Sequence, residues 1–139
     1  LLGYLHILGY EVEVVKAPIL RVLGSTMTGD SFIRLDTLLT MTDEHYLNKV
    51  WPLCFYISRK NKAKWQMNAA RALGNLKDPQ FIPLLAESLS GNPSEIVRGM
   101  CAWSLGRIGG LQARRALEAA LKKETGLVMR EIELACLIF

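Results

Sequence analysis

The chain has 139 residues, of which half are hydrophobic and 22% charged, so it can bury the core of one compact domain or of a short run of repeats. This composition excludes a disordered, collagen-like or low-complexity protein. Three widely spaced cysteines without a CxxC pair exclude a disulfide framework and favour a reducing, cytoplasmic setting.

The net charge of +4 is unevenly distributed. Residues 1–57 contain four Lys and Arg against six Asp and Glu, whereas residues 58–139 contain thirteen against seven. No window reaches the ~20 apolar residues of a membrane span, and the first residues lack the basic start of a secretory signal. We therefore expect no membrane partner. Because the sequence begins with Leu1, we also expect it to be part of a longer protein.

The first 32 residues are expected to form a separate N-terminal segment. LLGYLHILGY predicts a short helix ended by Gly9, and EVEVV alternates with a period of two, which is typical of a strand. APILRVL also has an extended pattern, and LGSTMTGDS is interpreted as a flexible connector. Its glycines have the spacing of a phosphate-binding loop, but Asp30 stands where that loop needs lysine, which argues against nucleotide binding.

Residues 33–57 are expected to form a helical lead-in. Ile33, Leu35, Leu38 and Leu39 recur at helical spacing and predict a first helix. Thr42, followed by two acidic residues, predicts the cap of a second helix.

The rest of the chain, residues 58–139, contains an internal repeat with a period of 32 residues. KWQMNAARALGNLKDPQFIPLLAESL aligns without a gap over IVRGMCAWSLGRIGGLQARRALEAAL with six identities, among them Leu73 with Leu105 and Gly74 with Gly106. VMREIELACLIF continues in the same frame and places Arg130 under Arg98. Each unit predicts two helices around a turn, with caps at Asp78–Pro79 and at Ser94. Because one helix pair cannot bury its apolar stripe alone, we predict stacked pairs in an all-α superhelix.

The thiols and imidazoles give no pattern of a catalytic or metal site. Cys101 and Cys136 fall on small-residue positions of the repeat, and Cys54 lies among bulky apolar residues, so all three are interpreted as buried, inert thiols. His6 and His45 are far apart and have no neighbouring Asp, Glu or Cys at metal-ligand spacing. Trp65 is expected in the core.

Cationic residues are the most informative feature. Because stacking brings equivalent repeat positions into rows, we expect Arg98 and Arg130 on one ridge beside Gln66. A cationic ridge meets the electrostatic requirement for binding a nucleic acid, although such residues are also typical of solvated helix faces. The predicted phosphate-contacting residues are Arg59, Lys60, Lys62, Lys64, Arg98, Arg107, Arg114 and Arg115.

Three stretches carry a resemblance to a known family: IRLDTLLTMTDEHY, NAARALGN and VRGMCAWSLGRIGG. Over residues 33–135 the sequence resembles the C-terminal portion of epoxyqueuosine reductases and their iron–sulfur relatives. The resemblance includes a helix ahead of the basic junction, so it is more specific than a likeness to HEAT repeats in general. It implies about two and a half HEAT-like, two-helix repeats over residues 58–139.

The same resemblance implies that the full-length family is cobalamin-dependent, holds two [4Fe-4S] clusters and performs the last reduction of queuosine synthesis on tRNA. Each cluster takes four ligands, usually cysteine thiolates, and residues 1–32, where upstream ligands would lie, contain no cysteine. We therefore expect no catalysis, no cofactor and no metal site in this chain. Met67 departs from the family, in which arginine is common, and removes one phosphate contact.

These observations leave alternatives open. The first is a non-catalytic helical-repeat module of an epoxyqueuosine-reductase-like protein that binds tRNA through a basic ridge. The second is a HEAT-type scaffold that docks a protein partner or a reductase domain. An autonomous enzyme is the least favoured, because the sequence shows no acid–base pair, nucleophile arrangement or cofactor loop.

Overall fold

In a computed structural model of the chain, the structure describes residues 11–16, 19–25, 29–54 and 58–138, and side chains from residue 34 onward except 53–54. The chain divides into two compact units, Leu1–Ala69 and Ala70–Phe139. The division falls within one helix, so that helix contributes residues to both units. None of the described helices is long and apolar enough to cross a membrane.

An antiparallel sheet opens the first unit, with strands β1 (Glu11–Lys16), β2 (Ile19–Ser25) and β3 (Gly29–Arg34) in that order. The strand predicted at EVEVV is confirmed. The connector predicted at LGSTMTGDS is wrong in part, because its two ends lie in β2 and β3 and pair through Ser25 and Gly29. A phosphate-binding loop leads from a strand into a helix. Here a strand follows, which supports the rejection of that motif. The helix predicted for residues 1–10 lies outside the described residues.

The lead-in is helical but begins later than predicted. Helix α1 spans Leu35–Thr40, whereas Ile33, expected in it, lies in β3 opposite Leu20. Helix α2 (Asp43–His45) continues as a π-helical turn, Tyr46–Val50, and a 3₁₀ turn, Trp51–Cys54. The cap predicted at Thr42 is confirmed, because its hydroxyl accepts a hydrogen bond of 3.1 Å from the backbone N–H of His45.

The core of the first unit fixes the start of the first repeat helix to the lead-in. Leu38, Leu39, Tyr46 and Trp65 are almost fully buried, which confirms the core position of Trp65. Gln66 is buried as well, and its side-chain amide donates to the carbonyl oxygens of Leu39, at 3.0 Å, and Met41, at 3.5 Å. The expectation that Gln66 lies on an exposed ridge is therefore wrong, since its amide satisfies carbonyls at the end of α1.

Five helices follow and confirm the all-α repeat predicted for this part of the chain. They are α3 (Lys62–Leu76), α4 (Ile82–Gly91), α5 (Glu95–Ile108), α6 (Gly110–Leu121) and α7 (Gly126–Cys136). Helices α3, α5 and α7 are the first helices of successive repeats, and α4 and α6 are the second helices. In the second unit α5 packs against α4, α6 and α7, so it is the central helix there.

The predicted turns hold for the most part. Asp78 caps the 3₁₀ turn Pro79–Phe81 ahead of α4 by accepting a 3.0 Å hydrogen bond from the backbone N–H of Gln80. Ser94 occupies the N-cap position of α5, but its side chain makes no capping hydrogen bond. Between α5 and α6, Gly109 adopts φ = 75°, a backbone conformation that side chains with a Cβ rarely adopt.

Close contacts between small residues set the spacing of the first helices. A Cβ atom placed on Gly74 would lie 2.7 Å from the Cβ of Ser104, whose hydroxyl donates a 2.7 Å hydrogen bond to the carbonyl of Ala70. The same contact recurs one repeat later, where a Cβ on Gly106 would lie 2.9 Å from that of Ala135. Glycine is therefore required at both positions for the helices to approach this closely.

The step from the second to the third repeat is 31 residues, not 32. Val97 and Cys101 of α5 are fully buried, and so are Val128 and Ile132 of α7, which lie 31 positions later. The alignment that placed Arg130 in the frame of Arg98 is therefore wrong by one residue. Met129, not Arg130, occupies the position equivalent to Arg98.

Candidate nucleic-acid interface

The four cationic residues ahead of the first repeat belong to one short segment, residues 58–64, which we call the basic turn. Its conformation is fixed by the carbonyl of Ser58, which accepts from the backbone N–H of Asn61 at 3.1 Å and from the phenol of Tyr46 at 3.0 Å. The backbone N–H of Lys60 donates to the Ser58 hydroxyl at 3.1 Å. Because Tyr46 is buried, the turn is anchored to the core of the first unit.

The basic turn leads directly into α3 and places positive side chains at the N-terminus of this helix, where acidic side chains are usual. The first turn of α3 contains Lys62 and Lys64 and no acidic residue. A helix N-terminus has a partial positive charge and unsatisfied backbone N–H groups, which favour acidic side chains or bound anions. This end of α3 is therefore an electropositive position that a negatively charged partner would stabilise.

Three of the four cations of the basic turn are available for such a partner. The guanidinium of Arg59 lies over the ring of Trp51, 4.6 Å from its centroid, and Lys60 and Lys64 are exposed. Among the residues that the structure describes, these three have no carboxylate within ion-pairing distance. Lys62 is half-buried, and its ammonium lies 2.6 Å from a carboxylate oxygen of Asp43.

In the second unit, the side chain of Arg98 is held by contacts within the fold. Its Nε donates to one carboxylate oxygen of Glu124 at 2.8 Å, and one Nη donates to the carbonyl of Asn92 at 2.9 Å. The two charged side chains are only 18% and 16% exposed. Arg98 thus joins the segments that follow α4 and α6, and its charge is neutralised within the fold.

The other three predicted arginines of the second unit differ from one another. Arg107 is exposed, with its guanidinium 5.4 Å from the centroid of the Trp103 ring. Arg114 forms an exposed ion pair of 2.9 Å with Glu118, one turn further along α6. Arg115 is exposed, and no described carboxylate pairs with it.

The predicted set does not include every exposed cation of the repeat helices. Arg71 on α3 is exposed and occupies the position equivalent to Trp103, 32 residues later.

The described thiols do not form a reactive or cluster-binding site. Cys101 on α5 is fully buried, and burial raises the pKa of its thiol to about 12. Cys136 on α7 is half-buried, and its thiol pKa is also raised, mainly by burial and then by the charge of Glu118. Within the described ranges, no group of three or more His, Cys, Asp or Glu side chains is arranged to hold a metal ion. The side chain of Cys54 and the whole of His6 lie outside these ranges.

Comparison with known proteins shows that this chain is similar to HEAT-repeat proteins and to epoxyqueuosine reductases. The HEAT repeats family matches residues 53–137. The epoxyqueuosine reductase of Bacillus subtilis (strain 168) is 39% identical over 67 residues, which are 48% of this chain and 17% of that protein. A solved structure of epoxyqueuosine reductase from Bacillus subtilis superimposes with a TM-score of 0.70 at 30% identity, covering 78% of this chain and 29% of that one.

A second solved structure shows epoxyqueuosine reductase with a tRNA-Tyr epoxyqueuosine-modified stem loop. It superimposes with a TM-score of 0.69 at 30% identity, over 77% of this chain and 28% of that one. In each comparison the chain matches less than a third of the length of its relative. The match is therefore to one part of these proteins.

Proposed function

Because the chain belongs to the HEAT-repeat family and is similar to part of epoxyqueuosine reductases, we propose that it is the RNA-binding helical module of a protein of that kind. Its ligand is tRNA, held by contacts with phosphate groups. A relative solved with a tRNA stem loop supports this choice of ligand. Residues 58–139 are the functional region of the module, and it acts in the cytoplasm.

The basic turn is the observation that carries this proposal. Three cations without a described carboxylate partner lie at a helix N-terminus that already favours anions, on a turn anchored by Tyr46. A sequence that places lysines where helix stability favours acidic residues departs from a local rule, and such departures are expected at functional sites. A row of phosphate groups supplies the negative charge that this segment lacks.

The predicted residues fall into two groups with different roles. Those already engaged in ion pairs, Lys62, Arg98 and Arg114, maintain the fold or contribute little net charge. The open cations contact phosphates and give affinity rather than base specificity. These are Arg59, Lys60, Lys64, Arg107 and Arg115.

The test is a salt titration of the binding of a fluorescent tRNA anticodon stem loop, measured by anisotropy. Each phosphate contact contributes about 0.7–0.9 to the slope of log affinity against log salt. We expect the variant R59A/K60A/K64A to lower that slope by about 2, whereas the matched variant K122A/K123A/R130A, with the same charge loss, has a smaller effect. No binding at low salt, or an equal loss in both variants, would contradict the proposal.

A second candidate function is supported by an apolar surface in the second unit. On α7, Leu127 and Leu134 are 46% and 52% exposed and lie seven residues apart on one helix face, and Ile138, two residues beyond the helix, is 67% exposed. Ile96, which is 41% exposed, is the equivalent of Leu127 on the adjacent helix α5. An exposed apolar face of this kind is typical of a protein-binding surface.

For this face we propose one occupant, the reductase portion of an epoxyqueuosine-reductase-like protein, since the relatives are several times longer than the matched part. Pull-down of the reductase portion of the Bacillus subtilis relative by this chain is the measurement. L134E should abolish capture, while M129E, which adds the same charge on a different side of α7, should retain it. Capture that is lost in high salt but unaffected by L134E would exclude this candidate.

The chemistry of such a protein remains outside this module. The described thiols do not fit a cluster, because Cys101 is inaccessible and Cys136 lies on a different helix. We propose that cobalamin and the iron–sulfur clusters, if the parent protein uses them as the resemblance implies, are held by other residues. This module then contributes only substrate binding.

A further inference from the structure

Two of the three tryptophans make a cation–π contact with an arginine. Both arginines belong to the cations that have no described carboxylate partner and that we propose contact RNA. Arg59 lies 4.6 Å from the centroid of the Trp51 ring, and Arg107 lies 5.4 Å from that of Trp103. Both rings are half-buried, whereas Trp65 is fully buried in the core of the first unit. Trp51 and Trp103 thus share an arrangement that core packing alone does not require.

We propose that Trp51 and Trp103 are positioning residues that hold the guanidinium groups of Arg59 and Arg107 ready to bind RNA phosphates. This inference rests on the proposed tRNA binding and specifies how two of its contacts are made. The guanidinium carbon of each arginine lies over an indole ring. A guanidinium that stacks on a ring keeps the N–H groups at the edge of its plane for another partner. Those edges match the oxygens of a phosphate group in a two-point contact.

The physical advantage is preorganisation. An exposed arginine loses the freedom of its long side chain when it binds a phosphate, which weakens the contact. A guanidinium already held on an aromatic ring has lost part of that freedom before RNA binds, and the cation–π attraction maintains it there. The tryptophan therefore raises the affinity without contacting the ligand.

The residues of both pairs belong to helices or hydrogen-bonded turns. Trp103 and Arg107 lie one turn apart on α5, and both lie in a row on one helix face whose ends, Ile96 and Arg107, are exposed. Trp51 lies in the 3₁₀ turn that follows the lead-in, and Arg59 belongs to the turn anchored by Tyr46. Contacts built on such elements are held more precisely than contacts on free loops.

A double-mutant cycle on Trp103 and Arg107 separates positioning from other roles, with the same stem-loop RNA and anisotropy readout. We expect W103L to weaken binding about two- to fivefold, which corresponds to the loss of one exposed cation–π contact. W103F should restore most of the affinity because it keeps an aromatic face. R107A should lower the salt slope by about 0.7–0.9, whereas W103L should leave the slope unchanged.

The decisive arm is W103L in the R107A background, where we expect no further loss of affinity. A further loss there would show that the indole itself contacts a base, which overturns the inference. R107K is a second diagnostic, since it keeps the charge but loses the planar fork, and we expect its affinity to fall as in W103L. Circular dichroism melts of each variant report any loss of folding, and binding is measured well below the melting temperature.

The cycle W51L with R59A tests the other pair in the same way. Failure of the wild-type chain to bind the stem loop contradicts the proposed function itself. Binding by the wild type, with additive effects in both cycles, contradicts only the positioning role of the tryptophans. The two results are therefore distinguishable.

Discussion

The basic turn and the repeat helices α5 and α6 hold four predicted phosphate-binding residues each, but they use these residues differently. In the basic turn one cation of the four is in an ion pair, and that pair involves an exposed aspartate. In the repeat helices two of the four are paired, and Arg98 is built into the packing through Glu124 and Asn92. A count of cationic residues therefore overestimates the charge that a repeat surface offers to a ligand.

The difference follows from where the residues lie. A helix in a stacked repeat has neighbours on several sides, so a long side chain on it readily meets a carboxylate from the next element. The basic turn lies at the start of the first repeat helix and contains no acidic residue of its own. Charge in such a segment stays available, and the following variants test this contrast.

The largest expected effect is the loss of stability in R98A. Removing this side chain leaves Glu124 without its ion-pair partner in a mostly buried site, so we expect the free energy of unfolding to fall by about 2–3 kcal/mol. Urea unfolding followed by circular dichroism measures it. R114A, which breaks the exposed pair with Glu118, is the matched control and should lower stability by less than about 0.5 kcal/mol. Equal effects of the two variants would remove the contrast between buried and exposed arginines.

A smaller effect is expected from Y46F, which removes the hydrogen bond to the Ser58 carbonyl. The free energy of unfolding should fall by about 1 kcal/mol because a partly buried hydrogen bond is lost. The affinity for tRNA should fall about twofold because the basic turn is no longer held by Tyr46. T42V is the control: it removes the cap of α2, with a similar loss of stability, but leaves the basic turn intact. If both variants bind the stem loop equally well, the anchor has no part in binding.

An opposite change is expected from E118Q. This variant frees Arg114 and removes a negative charge, so tRNA affinity should rise about twofold and the salt slope should steepen by less than one. E87Q, which makes the same charge change on the exposed face of α4, serves as the control. The measurement is the anisotropy titration at several salt concentrations. A gain in both variants alike would indicate a general charge effect and not the release of Arg114.

The smallest effect belongs to D43N, which frees Lys62 in the basic turn. The Asp43 side chain is 83% exposed, so the ion pair contributes little, and we expect less than a twofold gain in affinity with stability nearly unchanged. E44Q neutralises the adjacent exposed carboxylate and is the control. A loss of affinity in D43N would mean that the ion pair positions Lys62 for binding.

The repeat helices and their turns could be predicted from the sequence because both depend on local patterns. The 32-residue period identified α3 to α6, and Asp78 identified a cap. The predictions that were wrong concern residues whose roles depend on contacts with residues far away in the sequence. The partner of Arg98 is 26 residues away, and the buried role of Gln66 depends on carbonyls of α1.

The predicted alignment of the third repeat was wrong for a different reason. Alignment by residue identity favoured 32 residues, whereas the packing of Val128 and Ile132 requires 31. A helix can shift by one residue if its apolar stripe still faces the core, and only the contacts across the interface reveal that shift. The open state of the basic turn was suggested by its charge run, but its anchoring by Tyr46 required the fold.

The paired contacts of Gly74 with Ser104 and of Gly106 with Ala135 also bear on protein engineering. The position that corresponds to Gly106, counted by the 31-residue step, is the exposed Leu137, just beyond the end of α7. If another identical repeat were added after α7, Leu137 would stand where the contact between first helices requires glycine. Replacing it with glycine would be the first substitution to make in building a longer version.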